Sequence, residues 1–399
     1  MLGRPNALDR VVDAIPAHDL LTRSPIDLID PARAAAAAHL EQVGIPVWIA
    51  MVALQIAVLA WFWNAGLSAQ LRDRLRSSVR SEFVVRFTFG ALVALLDKLV
   101  ALIPQAVEYR FWRIMGLTEM LFRTWLLDWI AGTIVAMIVA GLIAAVVLWL
   151  ADRTHQWYVY TIAGVIGFTL LVSYVNPFVI APAYVAYSPL QPSPSLAADI
   201  AKLEKRSAIH VPILQEHISP RTRLDRVYVM GWGGSQRIVV SDTLIASATE
   251  AELRFVIARS YAWVAANNGL HLSLIQGAFI VLGTALAVFI SDRVGFRRDD
   301  DPVSRLALLG AIMGCVYLIA LPFYNGYSRN LGLQTDQVGV ALSDDPASAI
   351  RLEVRRADQA LLPVCPNPFT SWYLMDYPAP GRRIAALQGR SDPCVKQRR

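Results

Sequence analysis

From Trp129 to Leu150 the sequence runs WIAGTIVAMIVAGLIAAVVLWL without one charged residue. A hydrocarbon layer about 30 Å thick takes roughly 20 apolar helical residues to cross, because each backbone N–H and C=O inside it must be satisfied within the segment. This stretch meets that demand and excludes an ordinary soluble fold. Further apolar runs cover Ile45 to Leu67, Phe83 to Ile103, Trp157 to Ile180, Leu270 to Ile290 and Leu306 to Phe323. The composition agrees: 55% of the 399 residues are hydrophobic, 17% are charged, and the mean hydropathy is +0.44.

These runs divide the chain. A polar segment, 1–44, is broken by Pro5, Pro16, Pro25 and Pro31, and its Ala-rich run from Pro31 to Leu40 is expected to form a short surface helix. Four spans fill 45–180, with Pro177 and Pro182 marking the exit. A soluble region, 181–268, follows, and 269–324 hold the last two spans on either side of a charged loop, Phe296 to Pro302. Residues 325–399 are again soluble. Inside the second span lie Arg86, Asp97 and Lys98, and ionisable residues within a span mark a candidate functional site by default. Asp128 is expected at the interface.

Six crossings place the N-terminus, 181–268 and 325–399 on one side. The arginines do not choose that side, since Arg72, Arg74, Arg76 and Arg80 lie in one loop and Arg110, Arg113 and Arg123 in the next. The first apolar span starts only near Ile45, so an uncleaved anchor is expected. The net charge of +6 reads as interfacial anchoring, and no aromatic-plus-basic module for nucleic acid is present. Cys315, Cys365 and Cys394 have no metal-type spacing, and no disulfide framework is expected.

Between the fourth and fifth spans the pattern is strand, turn, helix. Leu196 to Lys205 reads as an amphipathic helix, and Val227–Met230 with Arg237–Val240 reads as a hairpin turning at Gly231–Gly234. Thr249 and Glu252 form a capping box, so a helix starts there with Leu253, Val256, Ile257, Tyr261 and Val264 on one face.

The block Arg237-Ile238-Val239-Val240-Ser241-Asp242-Thr243-Leu244, followed by Phe255-Val256-Ile257-Ala258, resembles the zinc-helix region of the integral-membrane metallopeptidases related to the type I CAAX prenyl endopeptidase, peptidase family M48. In that family the lead-in ends in H-E-L-G-H; here the five positions are Arg259, Ser260, Tyr261, Ala262 and Trp263. Two His four residues apart share a helix face and can reach one zinc ion, and the Glu beside the first serves as general base. Arg259 is a permanent cation and Trp263 offers only an N–H donor. The likeness extends from about Pro104 onward. Ser328 to Asp336 is similar to S-R-x-x-E-x-x-A-D, with Gly332 where the third zinc ligand stands and Asp336 kept. Tyr377 to Ile384 is similar to H-P-P-x-x-E-R-I, with Tyr377 in place of the His and Arg383 kept. Arg226, Val227, Tyr228 and Val229 fall where the family strand pairs with a substrate backbone.

The resemblance implies a mainly α, polytopic membrane protein: about six transmembrane helices around a chamber, capped by a small α+β zincin-like (gluzincin) region built from 181–268 and 325–399. It implies a bacterial plasma membrane with the globular part cytoplasmic. With Arg259, Ser260, Trp263, Gly332 and Tyr377 at the chemical positions, no catalytic residue, no metal and no zinc cofactor are expected. Trp263 and Tyr261 are expected to fill the metal's space, and Arg259 to pair with Asp336. The partners implied are the bilayer and membrane-protein or lipidated peptide segments, bound along Arg226–Val229. Two other classes stay open: a peptidase or hydrolase using non-family residues such as Ser260 or His210, Glu216 and His217, and a lipid- or solute-handling chamber lined by Arg86, Asp97 and Lys98.

Overall fold

The computed structural model describes residues 11–295 and 301–396. Most of the charged loop at 296–302 therefore lies outside the described residues. Six helices are long and apolar enough to cross a bilayer. The first, α2 (Pro31–Asn64), follows a short α1 (Ala17–Thr22) and begins at Asp30, whose side chain accepts from the N–H groups of Ala32 and Arg33. The Ala-rich run is not a separate surface helix. It continues through Pro46 into the span, because nothing between Leu40 and Ile45 ends a helix that good formers have begun. An amphipathic connector, α3 (Leu67–Ser78), leads to α4 (Glu82–Ile114), α5 (Phe122–Arg153) and α6 (Trp157–Val175). The fourth span ends in a π-turn over Asn176–Ile180.

Small residues set the closest membrane contact. A Cβ on Gly90 of α4 would stand 2.7 Å from Ala144 Cβ of α5, and one on Gly141 would stand 2.7 Å from the Phe87 carbonyl. Lipid tails are as apolar as leucine, so helices associate there by close backbone approach rather than by hydrophobic exclusion.

The cap follows. Its sheet holds β1 (Tyr187–Pro189), β2 (Ile213–Glu216), β3 (Val227–Met230) and β4 (Arg237–Ser241) in the order β1-β2-β4-β3, with the β2–β4 pair parallel and the other two antiparallel. The β3–β4 turn needs Gly231, which has φ 75° and whose Cβ would meet Ser235 Oγ at 2.5 Å. One face of the sheet is packed by α7 (Pro194–Ser207), α8 (Asp242–Ser247) and α9 (Glu250–Ala265). The capping box of α9 is present, and Leu253, Val256, Ile257, Tyr261 and Val264 are all buried in the main core. The fifth span is α10 (Asn268–Gly295). The sixth, α11 (Leu306–Ser343), does not stop near Asn325. It runs on as one 38-residue helix into the cap, since no breaker follows Pro322 until Asp344 takes a left-handed φ of 57°. The short helices α12 (Pro346–Ala360) and α13 (Pro380–Leu387) close the structure.

The N-terminal segment is part of the cap. Arg33 Nε donates to the Asp358 carbonyl at 2.8 Å, and Arg355, 1% exposed, joins Glu252 of the α9 cap to Asp13. A disulfide links Cys365, after α12, to Cys394, which corrects the expectation of no disulfide. Spacing could not show this: 29 residues separate the two, and folding of α13 between them brings their Cα atoms to 5.1 Å.

Two predictions follow from the cap. Closing a ring of 29 residues restricts the unfolded chain by about 3–4 kcal/mol, so Cys365→Ser in detergent should melt well below the parent; an unchanged melting temperature refutes the cross-link. The Asp358 side chain is 3% exposed with Oδ1 unpartnered, and burial raises its carboxyl to about 7. A folded acid that holds its proton longer than the unfolded chain loses stability as pH rises from about 4 to about 7. Asp358→Asn should therefore raise the melting temperature clearly at about pH 8 and much less at about pH 5; equal shifts at both would contradict it.

Candidate functional site

The open edge of β3, α9, the cap end of α11, α12 and the turn before α13 enclose a cleft of about 460 Å³. All the residues picked out at chemical positions come together in it: Arg259, Ser260 and Trp263 from α9, Gly332 from α11, and Tyr377. Arg226, Val227, Tyr228 and Val229 form another wall.

The floor is ionic. Arg383 clamps Asp336 in two parallel bonds, Nε to Oδ2 at 2.7 Å and Nη2 to Oδ1 at 2.7 Å, and its Nη1 reaches Glu353 Oε2 at 2.5 Å. Arg259 Nε lies 2.5 Å from Asp336 Oδ1. Asp336, Glu353 and Arg383 are 2%, 3% and 4% exposed. Burial opposes charge on Arg383, but the Asp336 and Glu353 carboxylates overcome it and hold the guanidinium above its ordinary value. Burial pulls Arg259 the other way, against the attraction of Asp336.

Close packing fixes these positions. A Cβ on Gly339 would stand 2.9 Å from Arg259 Cα, so α11 lies directly against α9. A Cβ on Gly332 would meet Pro378 Cδ at 3.1 Å, so the turn carrying Tyr377 packs closely against this point of α11.

Ser260 is 4% exposed and its hydroxyl donates to the Val256 carbonyl of its own helix at 2.9 Å, an arrangement without a base for a nucleophile. Tyr261 does not share the cleft with Trp263. It is fully buried on the far side of α9, with its hydroxyl 3.3 Å from Glu204, because neighbours two positions apart on a helix face different ways. His210 and His217 stay apart, bonded to Glu204 at 3.1 Å and Ser188 at 2.9 Å. Glu216 is buried and accepts from Tyr228 at 2.9 Å. Sequence reading missed Glu353, Arg356 and Asp376 in the cleft; on the amphipathic α12 the first two look like an ordinary helix surface, and Asp376 lies in the turn before α13.

A second cavity of about 820 Å³ lies among α5, α6 and α10 and is lined mainly by apolar side chains. Tyr228, Val229 and Trp263 border both spaces. Arg86, Asp97 and Lys98 do not line it: Arg86 pairs with Asp152, and Asp97 Oδ1 accepts from Gln55 at 3.0 Å. Arg86 and Asp97, expected in a chamber, are instead satisfied between helices. Asp128 pairs with Arg221 of the cap at 2.7 Å.

The residues present do not fit a zinc ion. Among the described residues no three His, Cys, Asp or Glu side chains are grouped to hold a metal. The nearest carboxylate, Asp336, is already shared by two guanidiniums.

Two family profiles match nearly the whole chain in tandem. One, described as CAAX prenyl protease N-terminal with five membrane helices, covers residues 34–185; the other, peptidase family M48, covers 201–391. The chain belongs to this family of membrane proteases. An M48 relative from Bacillus subtilis (strain 168), named an uncharacterized metalloprotease, YhfN, is 21% identical over 72% of this chain and 69% of its own. A CAAX prenyl protease 1 homolog from Dictyostelium discoideum is 26% identical over 75% of this chain and 71% of its own. The crystal structure of S. mikatae Ste24p superposes with a TM-score of 0.71 over 96% of both chains at 17% identity, which shows a shared fold. Within 34–185 this M48 chain has four long apolar helices and the amphipathic α3.

Asp336→Asn should destabilise the cap by about 3 kcal/mol, since it leaves Arg259 without its carboxylate and Arg383 with Glu353 alone. Arg259→Met should cost much less, because Asp336 keeps Arg383. Chemical denaturation of both variants checks the order, and a reversed order would remove Asp336 from the centre of the network.

Proposed function

We propose that this M48 protein is a non-catalytic member that binds extended peptide segments of membrane or lipidated proteins on the open edge of β3. The observation that carries the reading is the exchange of every zinc-handling position within an otherwise family-like cleft, with Arg259 ion-paired to Asp336 at 2.5 Å where the first metal ligand would stand. The cleft keeps what peptide binding needs. β3 has a neighbour on one side only. The Ser241 N–H donates to the Arg226 carbonyl, so alternation along the ladder turns the Val227 and Val229 N–H groups outward. A strand added there gains main-chain hydrogen bonds regardless of its side chains. Trp263 and Val229 lead from that edge into the apolar cavity between the membrane helices, which suits a lipid chain or an apolar helix end attached to the peptide. The bilayer proposed is a bacterial plasma membrane.

The purified protein should contain no stoichiometric zinc and should leave a farnesylated peptide uncut, while binding it in fluorescence anisotropy. Val229→Pro removes one outward donor without touching the β4 ladder and should weaken that binding at least tenfold. Metal-dependent cleavage, or binding indifferent to Val229→Pro, would overturn the proposal.

A further inference from the structure

We propose that the groove between α4 and α5, beside the connector 115–121, is a site for one anionic phospholipid. It is separate from the cleft and from the cavity between the spans, and it does not rest on the peptide-binding reading.

The groove has a volume of about 500 Å³. Its walls are apolar: Ile103, Ala106, Val107 and Ile114 come from α4, and Phe122 and Leu126 from α5. Ile103, Val107, Ile114 and Phe122 are at least half exposed although each is large and apolar, so this face of the two spans is built for lipid rather than water. From Ile103 to Ile114 the helix rises about 16 Å, at about 1.5 Å per residue, close to half the thickness of a hydrocarbon layer. That length takes an acyl chain of one leaflet. One charged side chain, that of Arg110, lines the groove.

Neighbours set the level of that arginine. The Tyr109 hydroxyl donates to the Met120 carbonyl at 2.7 Å, and its ring stacks on Trp125 at 5.2 Å, so this turn of α4 is level with the connector and the first turn of α5. The connector belongs to the polar surface, since Thr118 Oγ1 donates to the Arg221 carbonyl of the cap and the Arg223 N–H to the Leu117 carbonyl. Trp129 Nε1 donates to Gln105 Oε1 at 3.1 Å further along both spans. Arg110 therefore stands at the headgroup level, where a long basic side chain keeps its stem in the apolar layer and its charge in the wet one, and the groove runs inward from it.

The charge points to an anion. Arg110 and Arg113 lie three residues apart and are neighbours on α4. The positions three and four away from Arg110 are Ala106, Val107, Arg113 and Ile114, so its helix offers it no carboxylate. Glu108, two positions away, lies on another side of the helix. Arg113 Nη1 donates to the Tyr109 hydroxyl at 3.2 Å, a neutral partner. The carboxylates nearby are committed to the cap: Glu119 pairs with Arg223, and Asp128 with Arg221 at 2.7 Å. Among the described residues neither Arg110 nor Arg113 has an ion pair. Two like charges one turn apart disfavour each other until an anion sits with them. A phosphodiester satisfies guanidiniums through charge-assisted hydrogen bonds, and basic pockets beside spans hold anionic headgroups in this way. Inorganic phosphate would leave the groove empty, and a zwitterionic lipid would set its own cation near the arginines. An anionic phospholipid meets both demands. Seated there, it braces the connector against which residues 221–223, the approach to β3, are hydrogen-bonded.

The test is native mass spectrometry of the full chain in detergent, with phosphatidylglycerol and phosphatidylcholine added in equal amounts. The parent should take one phosphatidylglycerol ahead of any phosphatidylcholine. Arg110→Gln should weaken that first binding about fivefold, the effect of one arginine at an anionic lipid surface. Ala106→Phe keeps both charges but fills the groove, and should weaken it by at least as much. Arg74→Gln removes an exposed arginine from α3 and should leave it unchanged. The two groove variants remove different features, so each decides alone if the other does not fold. Equal uptake of the two lipids by the parent, or parent-like binding by either folded groove variant, overturns the proposal. A dimer that excludes the lipid gives the face to a second copy and overturns it as well.

Discussion

One carboxylate shared by two guanidiniums decides what this cleft can be. Asp336 lies at the cap end of α11, and Arg383 and Arg259 reach it from α13 and α9. Ions so far from water hold their charge only when they are paired and hydrogen-bonded, and the bidentate clamp from Arg383 supplies both. Three helices are registered by this one contact, and Glu353 extends it to a fourth. The cleft therefore has a rigid, electrically satisfied floor where the family chemistry would place a dication.

The same helix joins the two halves of the molecule. α11 crosses the bilayer and carries Gly332, Asp336 and Gly339 into the cap without a break. A displacement of its membrane half is a displacement of the cleft floor, because Gly339 leaves no gap between α11 and Arg259. Trp263 adds a lateral link, since it borders both the polar cleft and the apolar cavity between the spans.

The spans were legible because apolar length is a local property: Trp129 to Leu150 announces itself. The capping box of Thr249 and Glu252 and the hairpin at Gly231 were legible for the same reason. Their signals lie within a few residues of their effects. The family motifs located Arg259, Gly332 and Tyr377, which the fold then gathered. What stayed hidden needed distance. Cys365 and Cys394 meet only after α13 has folded between them, and Glu353 becomes part of the site only when α12 lies against α13. Tyr261 was misplaced because it sits beside the motif in sequence while its helix turns it to the core. Asp97 looked like a chamber residue because its partner, Gln55, is on another helix.

Gly332 set against Pro378 has a consequence for how this chain can change. A carboxylate at 332 asks the Tyr377–Pro378 turn to give by a few tenths of an ångström. A His at 259 withdraws one of the two cations from Asp336, and a His at 263 empties space that indole now fills. Each step costs stability before any metal could repay it, and no one of them makes a site alone. In mutational terms the floor of this cleft changes by several substitutions together rather than by one.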